Sequence, residues 1–171
     1  MTTNNTPLLT IDNLDVKFRL DRETVHAVRG VSFSLNKGET LALVGESGCG
    51  KSTVARLLVG LHAPSAGTIR FDGQDLVAEL ASPRAAVLRR RLQMIFQDPY
   101  ASLNPRWRVH DIVAEPLLEQ GLEPDAQARR ERVGGLLRAV RLDAADADKY
   151  PHQFSGGQRQ RISIARALAS A

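Results

Sequence analysis

A chain of 171 residues with 43% hydrophobic and 25% charged content has the ordinary composition of one globular domain with a core of its own. The net charge of +4 admits an anionic partner, but the excess comes from scattered arginines such as Arg89, Arg90, Arg91, Arg129 and Arg130, which read as solvated helix faces. With five Phe, one Trp and two Tyr that do not interleave with a basic stripe, a nucleic-acid role is the weakest reading of that charge, and no nucleic-acid partner is expected.

Leu9 to Leu20 reads as a strand region, since Leu14, Val16, Phe18 and Leu20 alternate with polar neighbours. Asp21-Arg22-Glu23 makes a polar turn, and Val25 to Leu35 continues in strand pattern. Thr40 to Val44 is a short apolar run of the kind that forms a strand buried on both faces. After a glycine-rich loop, Ser52 to Leu61 has helical spacing through Val54, Leu57, Leu58 and Leu61. Gly67 to Phe71 is a strand closed by the turn pair Asp72-Gly73. Pro83 to Arg91 reads as a short basic helix and Leu92 to Phe96 as another strand. From Val109 the pattern turns helical, with Val133, Leu136, Leu137 and Val140 on one face, although each glycine of the pair Gly134-Gly135 costs that helix about 1 kcal/mol. The first part is thus β-rich around a glycine loop, and the second, residues 98–154, is a helical insertion.

Cys49 is the one cysteine, so no disulfide forms within the chain and a reducing compartment fits. Met1 to Pro7 carries no basic stretch leading into an apolar run, and no apolar stretch approaches the roughly 20 residues that span a bilayer. A membrane role would have to come through a partner.

Gly45-Glu46-Ser47-Gly48-Cys49-Gly50-Lys51-Ser52 fits the phosphate-loop pattern G-x-x-x-x-G-K-[ST], placed between an apolar run and a helix. Glycines let the backbone curl so that successive N–H groups point at phosphate oxygens, and the helix that follows adds the positive end of its dipole. Lys51 can reach the β- and γ-phosphates of ATP, and the Ser52 hydroxyl can ligate Mg2+. The ATP-binding stretch runs from Gly45 to Thr53, with Cys49 a small filler at a free position. A second pattern, Phe154-Ser155-Gly156-Gly157-Gln158-Arg159-Gln160-Arg161, precedes an apolar helix with Ile162, Ala165, Leu168 and Ala169 on or near one face. Ser155 is placed to cap that helix, and the glycines let a bulky anion approach its N-terminus.

Ser155, Gly156, Gly157 and Gln158 resemble the signature motif of ABC ATPases, whose phosphate-loop domains pair head to tail. The resemblance implies that this signature contacts the γ-phosphate held by the P-loop of a second ATP-binding subunit. It implies that Gln97 is the Q-loop glutamine, which senses Mg2+ and the attacking water and adjoins the membrane subunit, so that Lys51 and Gln97 are the candidate catalytic residues and Ser52 and Gln97 the metal-binding ones. Phe18 matches the aromatic that stacks on adenine, and reads also as a core residue of its strand. The stretch Gln97 to Arg106 and the run Tyr150-Pro151-His152-Gln153-Phe154 are similar to the importer ATPases for oligopeptides, dipeptides, nickel and glutathione.

The resemblance covers the chain from Leu9 onward, residues 1–8 being a flexible N-terminus and residues 9–171 an ABC ATP-binding domain. It implies an α/β P-loop NTPase fold with an N-terminal β-rich subdomain, the 98–154 helical insertion, and a core whose C-terminal part is missing. The family's strand with its aspartate and glutamate, and its later histidine, would follow Ala171, and His26, His62, His110 and His152 all lie too early to serve as that histidine. The expected function is solute import driven by ATP and Mg2+ through a membrane permease, with peptides or related small solutes as cargo and a solute-binding protein as indirect partner. The subunit would sit on the cytoplasmic face of the membrane. Alternatives are a catalytically silent nucleotide-binding fragment and a P-loop kinase, the latter giving the signature no role. The apolar face of residues 162–169 is expected to lack part of its packing partner.

Overall fold

The computed structural model describes residues 6–20, 23–98 and 102–170. Its internal contacts divide the chain into two units, Met1–Leu92 and Gln93–Ala171. The first is built on a four-stranded antiparallel sheet in the order β2-β1-β3-β4. Strand β1 (Leu9–Arg19) pairs with β2 (Thr24–Leu35) from Leu9 opposite Leu35 to Arg19 opposite Thr24, and with β3 (Ala66–Phe71) on its other side.

A strict two-residue alternation along β1 would turn Leu14 away from the side that Leu9 and Ile11 face, yet Leu9, Ile11, Leu14 and Val16 are all buried. A bulge reconciles them: the pairing register shifts between Ile11 and Leu14, and Asn13 takes a left-handed φ of 46°. Across the sheet the same bulge dictates Gly67, because a Cβ there would lie 2.4 Å from the Asn13 carbonyl oxygen. The expected Asp72-Gly73 turn is present with positive φ at both residues, 53° and 78°, as a two-residue hairpin requires, and returns the chain into the short strand β4 (Gln74–Asp75). Asp75 then caps helix α2 (Leu76–Leu80), accepting from the Ala78 amide at 2.9 Å. This helix has no counterpart among the sequence expectations. Helix α1 (Lys51–Leu58) lays Val54 and Leu57 on the sheet's core of Leu9, Ile11, Leu14, Val16, Val28, Ile69, Phe71 and Leu76, and α3 (Ala85–Arg91) completes the unit.

Two expected strands do not form. Residues 40–44 and 92–96 carry no strand, and Leu43, Val44 and Ile95 are exposed, Val44 to 92%. A run of this kind becomes a strand only when neighbours on both sides take its N–H and C=O groups, and among the described residues no strand pairs with either run. Helix α1 also stops short of Leu61: Gly60 turns left-handed at φ 75°, leaving Leu61 exposed. Leu20 is exposed too, and Asp21 and Arg22 of the expected polar turn lie outside the described residues.

The second unit is helical. Helices α4 (Val109–Glu119), α5 (Ala126–Ala139) and α6 (Gly156–Ala169) are linked by short 3-10 turns at Ala144–Asp148 and Pro151–Gln153. Val109, Ile112, Val113 and Leu117 meet Val133, Leu137, Phe154, Ile162, Ala165 and Ala169 in one core. The expected face of α5 holds, with Val133 and Leu137 fully buried and Leu136 and Val140 packed beside them. An added Cβ at its Gly134 would stand 3.4 Å from the Ala144 Cβ, about van der Waals contact. The expected unsatisfied face of α6 is corrected: Ile162, Ala165 and Ala169 are buried against neighbours in this core. Leu168, at the edge of the same face, is exposed, so that part of the expected apolar face has no cover among the described residues.

Candidate functional site

The glycine loop takes its shape from two left-handed residues, Gly48 at φ 83° and Gly50 at φ 96°. Gly50 is dictated by contact as well: a Cβ would fall 2.4 Å from the Ala27 carbonyl oxygen of β2. At Gly45 a Cβ would meet the Cys49 sulfur at 2.7 Å, so the filler cysteine occupies room that the glycine leaves. Gly50 is also the N-cap of α1, and no side chain caps that helix or places a carboxylate in its first turn. The first-turn amides of Lys51, Ser52 and Thr53 therefore have no side-chain acceptor, whereas α5 and α6 are capped by Asp125 and Ser155. Helix dipole and free donors together make an anion site.

The Lys51 ammonium curls under the loop, donating to the carbonyls of Gly45 at 2.8 Å and Glu46 at 2.6 Å, and lies 3.4 Å from the Cys49 sulfur. It is thereby held at the loop rather than swinging free, while Ser52 stays exposed on the first turn. A cavity of about 510 Å3 opens beside the loop, lined by Val25 to Val28 of β2, by Leu43 and Val44, and by Gly48 to Lys51. Phe18 is not among its lining residues. It is half-buried, pairs in register with the cavity residue Val25, and meets the His62 ring edge-on at 5.2 Å between centroids.

In the second unit Gln97 is exposed in irregular chain, and Pro99 to Ala101 lie outside the described residues. Ser155 caps α6 in a reciprocal box: the Gln158 amide donates to the Ser155 hydroxyl at 3.3 Å, and the Ser155 amide to Oε1 of Gln158 at 3.0 Å. Gly156 and Gly157 are exposed with ordinary φ, and an added Cβ at either would find nothing within 4 Å. Nothing inside the fold demands glycine there. Among the described residues no group of three or more His, Cys, Asp and Glu side chains could hold a metal ion, and no helix is long and apolar enough to cross a membrane.

Sequence reasoning missed a set of buried polar contacts on α6. Arg159 donates to the carbonyls of Pro151 at 2.7 Å and His152 at 3.4 Å, Arg166 to that of Ser102 at 2.7 Å, and the Ser163 and Ser102 hydroxyls meet at 3.2 Å. The signal was present, since positions 159, 163 and 166 repeat at helical spacing within a face otherwise read as apolar.

Residues 28–171 match the family described as ABC transporter. The oligopeptide transport ATP-binding protein OppF of Bacillus subtilis is 50% identical over 162 residues, covering 95% of this chain and 53% of OppF. The glutathione import ATP-binding protein GsiA of Pectobacterium atrosepticum is 51% identical over 170 residues, covering 95% of this chain and 27% of GsiA. Apart from such larger proteins as GsiA, the chain spans about half the length of the curated relatives it matches. Among solved structures, the ATP-binding cassette MJ0796, a dimer in a post-hydrolysis state bound to ADP and Pi, superposes with a TM-score of 0.81 at 28% identity, over 95% of this chain and 69% of that one. With its P-loop fold, its antiparallel β unit and a family match across most of its length, this chain belongs to the ABC transporter family, close to the ATP-binding proteins of oligopeptide, dipeptide and glutathione import.

Proposed function

We propose that the chain is the nucleotide-binding part of an importer ATPase, in which ATP binding and hydrolysis drive peptides or related small solutes through a membrane permease. The observation that carries this reading is the first turn of α1, with its amides free of any side-chain cap, a glycine at its N-cap where any side chain would be strained and crowded, and Lys51 held at the loop. Gly45 to Thr53 hold the phosphates, Lys51 neutralises the β- and γ-phosphate charge, and Phe18 stacks on adenine. Ser155 to Gln158 face a nucleotide held by a second ATP-binding subunit, an arrangement supported by two glycines that the fold itself does not require.

Without a carboxylate cluster among the described residues, Mg2+ would be held by the phosphates, water and the exposed Ser52 hydroxyl, as expected for a cation that keeps much of its hydration. When bound it would draw charge from the phosphate oxygens, and the chain's own part is to orient those phosphates with the first-turn amides and Lys51. Residues 98–154 form the helical subdomain beside the permease on the cytoplasmic face, with a solute-binding protein as indirect partner. The names of OppF and GsiA, transport and import ATP-binding proteins, support this assignment.

Titration calorimetry with Mg-ATP tests the reading. Lys51→Ala should weaken binding at least tenfold, the loss of one charge-assisted contact being worth about 1.5–3 kcal/mol. Equal affinity in a folded variant would refute the P-loop assignment. One observation favours a silent nucleotide binder as second reading, namely that no carboxylate among the described residues lines the cavity. Tight binding with no phosphate release from this chain, alone or with a permease, would select it.

A further inference from the structure

Helix α4 carries its carboxylates in one row. Asp111, Glu115 and Glu119 follow one another at steps of four, so that at about 1.5 Å of rise per residue they stand about 6 Å apart along one face. They line a cavity of about 360 Å3 together with Trp107, Ala114 and Leu118. Trp107 and Leu118 are exposed, at 41% and 53%, whereas Ala114 is fully buried. An apolar strip thus runs beside a row of acids, in a hollow of the size that takes a small organic molecule. None of its lining residues belongs to the glycine loop or to the turn at Ser155.

The charges in this hollow are not cancelled from within. Arg129 also lines it, but its guanidinium donates to the carbonyls of Glu123 at 2.9 Å and Pro124 at 3.1 Å. His110 meets Asp111 at 3.1 Å. Among the described residues no hydrogen bond or ion pair engages the side chains of Glu115 and Glu119. The hollow therefore runs against the net charge of the chain, which is +4. Nor does the row converge on a point: among the described residues no group of three or more His, Cys, Asp and Glu side chains could hold a metal ion. Its complement is positive charge spaced out along a ligand.

We propose that this hollow binds a linear oligoamine, its ammonium groups set against successive carboxylates of α4 and its methylenes laid on Leu118 and the Trp107 ring. Two amines separated by four methylenes stand about 6 Å apart at standard bond lengths, the same interval as one step of the row. A single exposed ion pair contributes little, so a monoamine has almost nothing to hold it here. Linked ammonium groups bind as one event, because the linker holds the second at high local concentration once the first is seated. An ammonium over the indole adds a cation–π contact. The site is independent of the nucleotide reading and needs neither ATP nor a second subunit.

The full chain holds one tryptophan, so indole fluorescence reports from this hollow alone. Without nucleotide, spermidine and, more weakly, 1,4-diaminobutane should shift the Trp107 emission saturably. Butylamine and magnesium chloride at matched ionic strength should not, and 1,2-diaminoethane, too short for the row, should bind more weakly than 1,4-diaminobutane. Glu115→Gln combined with Glu119→Gln should weaken spermidine binding at least tenfold, the loss of charge-assisted contacts. Asp12→Asn, an exposed acid of β1, should leave it unchanged. By calorimetry Trp107→Phe should keep most of the affinity and Trp107→Ala should lose it. An equal response to magnesium chloride or butylamine shows a diffuse ion atmosphere only and overturns the proposal. So does full affinity in the double glutamine variant, or equal affinity for the two diamines. A lysine-rich peptide that binds where the free amines do not overturns it in favour of a protein partner. Should the double variant lose its helical circular dichroism, the ranking of amines on the unaltered chain still decides.

Discussion

Alanine at Gly50 and alanine at Gly157 should move stability in opposite directions. At Gly50 the backbone sits at φ 96°, so any L side chain pays about 1–2 kcal/mol for a left-handed conformation. The new Cβ would also fall 2.4 Å from the Ala27 carbonyl oxygen, a backbone atom of β2 that cannot swing aside, and over-packing adds about 1–3 kcal/mol. Together these remove about 2–5 kcal/mol from a domain stability of about 5–15 kcal/mol. At Gly157 the backbone is ordinary and an added Cβ touches nothing within 4 Å, so alanine should be neutral or gain up to about 1 kcal/mol in helix propensity. Urea unfolding followed by circular dichroism separates the two: the midpoint should drop for Gly50→Ala and hold or rise for Gly157→Ala. In the full-length subunit, Gly157→Ala should nevertheless slow ATP turnover, because its methyl group stands where a phosphate must approach. A Gly157→Ala variant destabilised by more than about 1 kcal/mol would show that the fold demands that glycine, and the argument for an outside ligand would fall.

Ser155→Ala should cost about 1 kcal/mol of unfolding free energy through loss of the cap, and more than Gln158→Ala, because the Ser155 hydroxyl takes the first-turn Gln158 amide whereas the Gln158 side chain takes only the Ser155 amide outside the helix. A urea midpoint unchanged by Ser155→Ala would contradict the box geometry. Phe18→Ala should weaken Mg-ATP binding by about 1–3 kcal/mol if the ring stacks on adenine. Calorimetry that finds the affinity unchanged in a stably folded variant returns Phe18 to the core beside His62.

The shape of the glycine loop was legible in part because Gly48 and Gly50 take left-handed φ, which sequence spacing records directly, whereas the approach of Ala27 to Gly50 is not local. The face of α5 through Val133 and Leu137 was legible for a similar reason, since helical periodicity is internal to one segment. The runs at 40–44 and 92–96 misled because apolar content registers a demand for burial, whereas a strand exists only when other strands meet that demand. The bulge at Asn13 was invisible: residues 14, 16, 18 and 20 alternate so cleanly that nothing betrays the change of phase after Ile11. The buried polar face of α6 escaped because no local pattern announces the carbonyls that Arg159 and Arg166 meet, those of Pro151 and, 64 residues away, Ser102.

Two helix N-termini in this chain carry glycines, and they are prepared in different ways. At α1 the glycine is forced by the fold, no side chain caps the turn, and a lysine waits at the loop. An anion bound there supplies acceptors that the chain lacks, so nucleotide should bind to a single copy and stiffen it. At α6 the Ser155 and Gln158 amides already have partners within the capping box, and of the amides only those of Gly156 and Gly157 remain for an incoming group. That turn is stable without a ligand and offers two free backbone donors and the Ser155 hydroxyl, too few to hold a phosphate against water by themselves. On the proposed function this asymmetry sets the order of events: α1 captures the nucleotide first, and the signature turn adds its contacts only once a second copy has carried a bound phosphate to it.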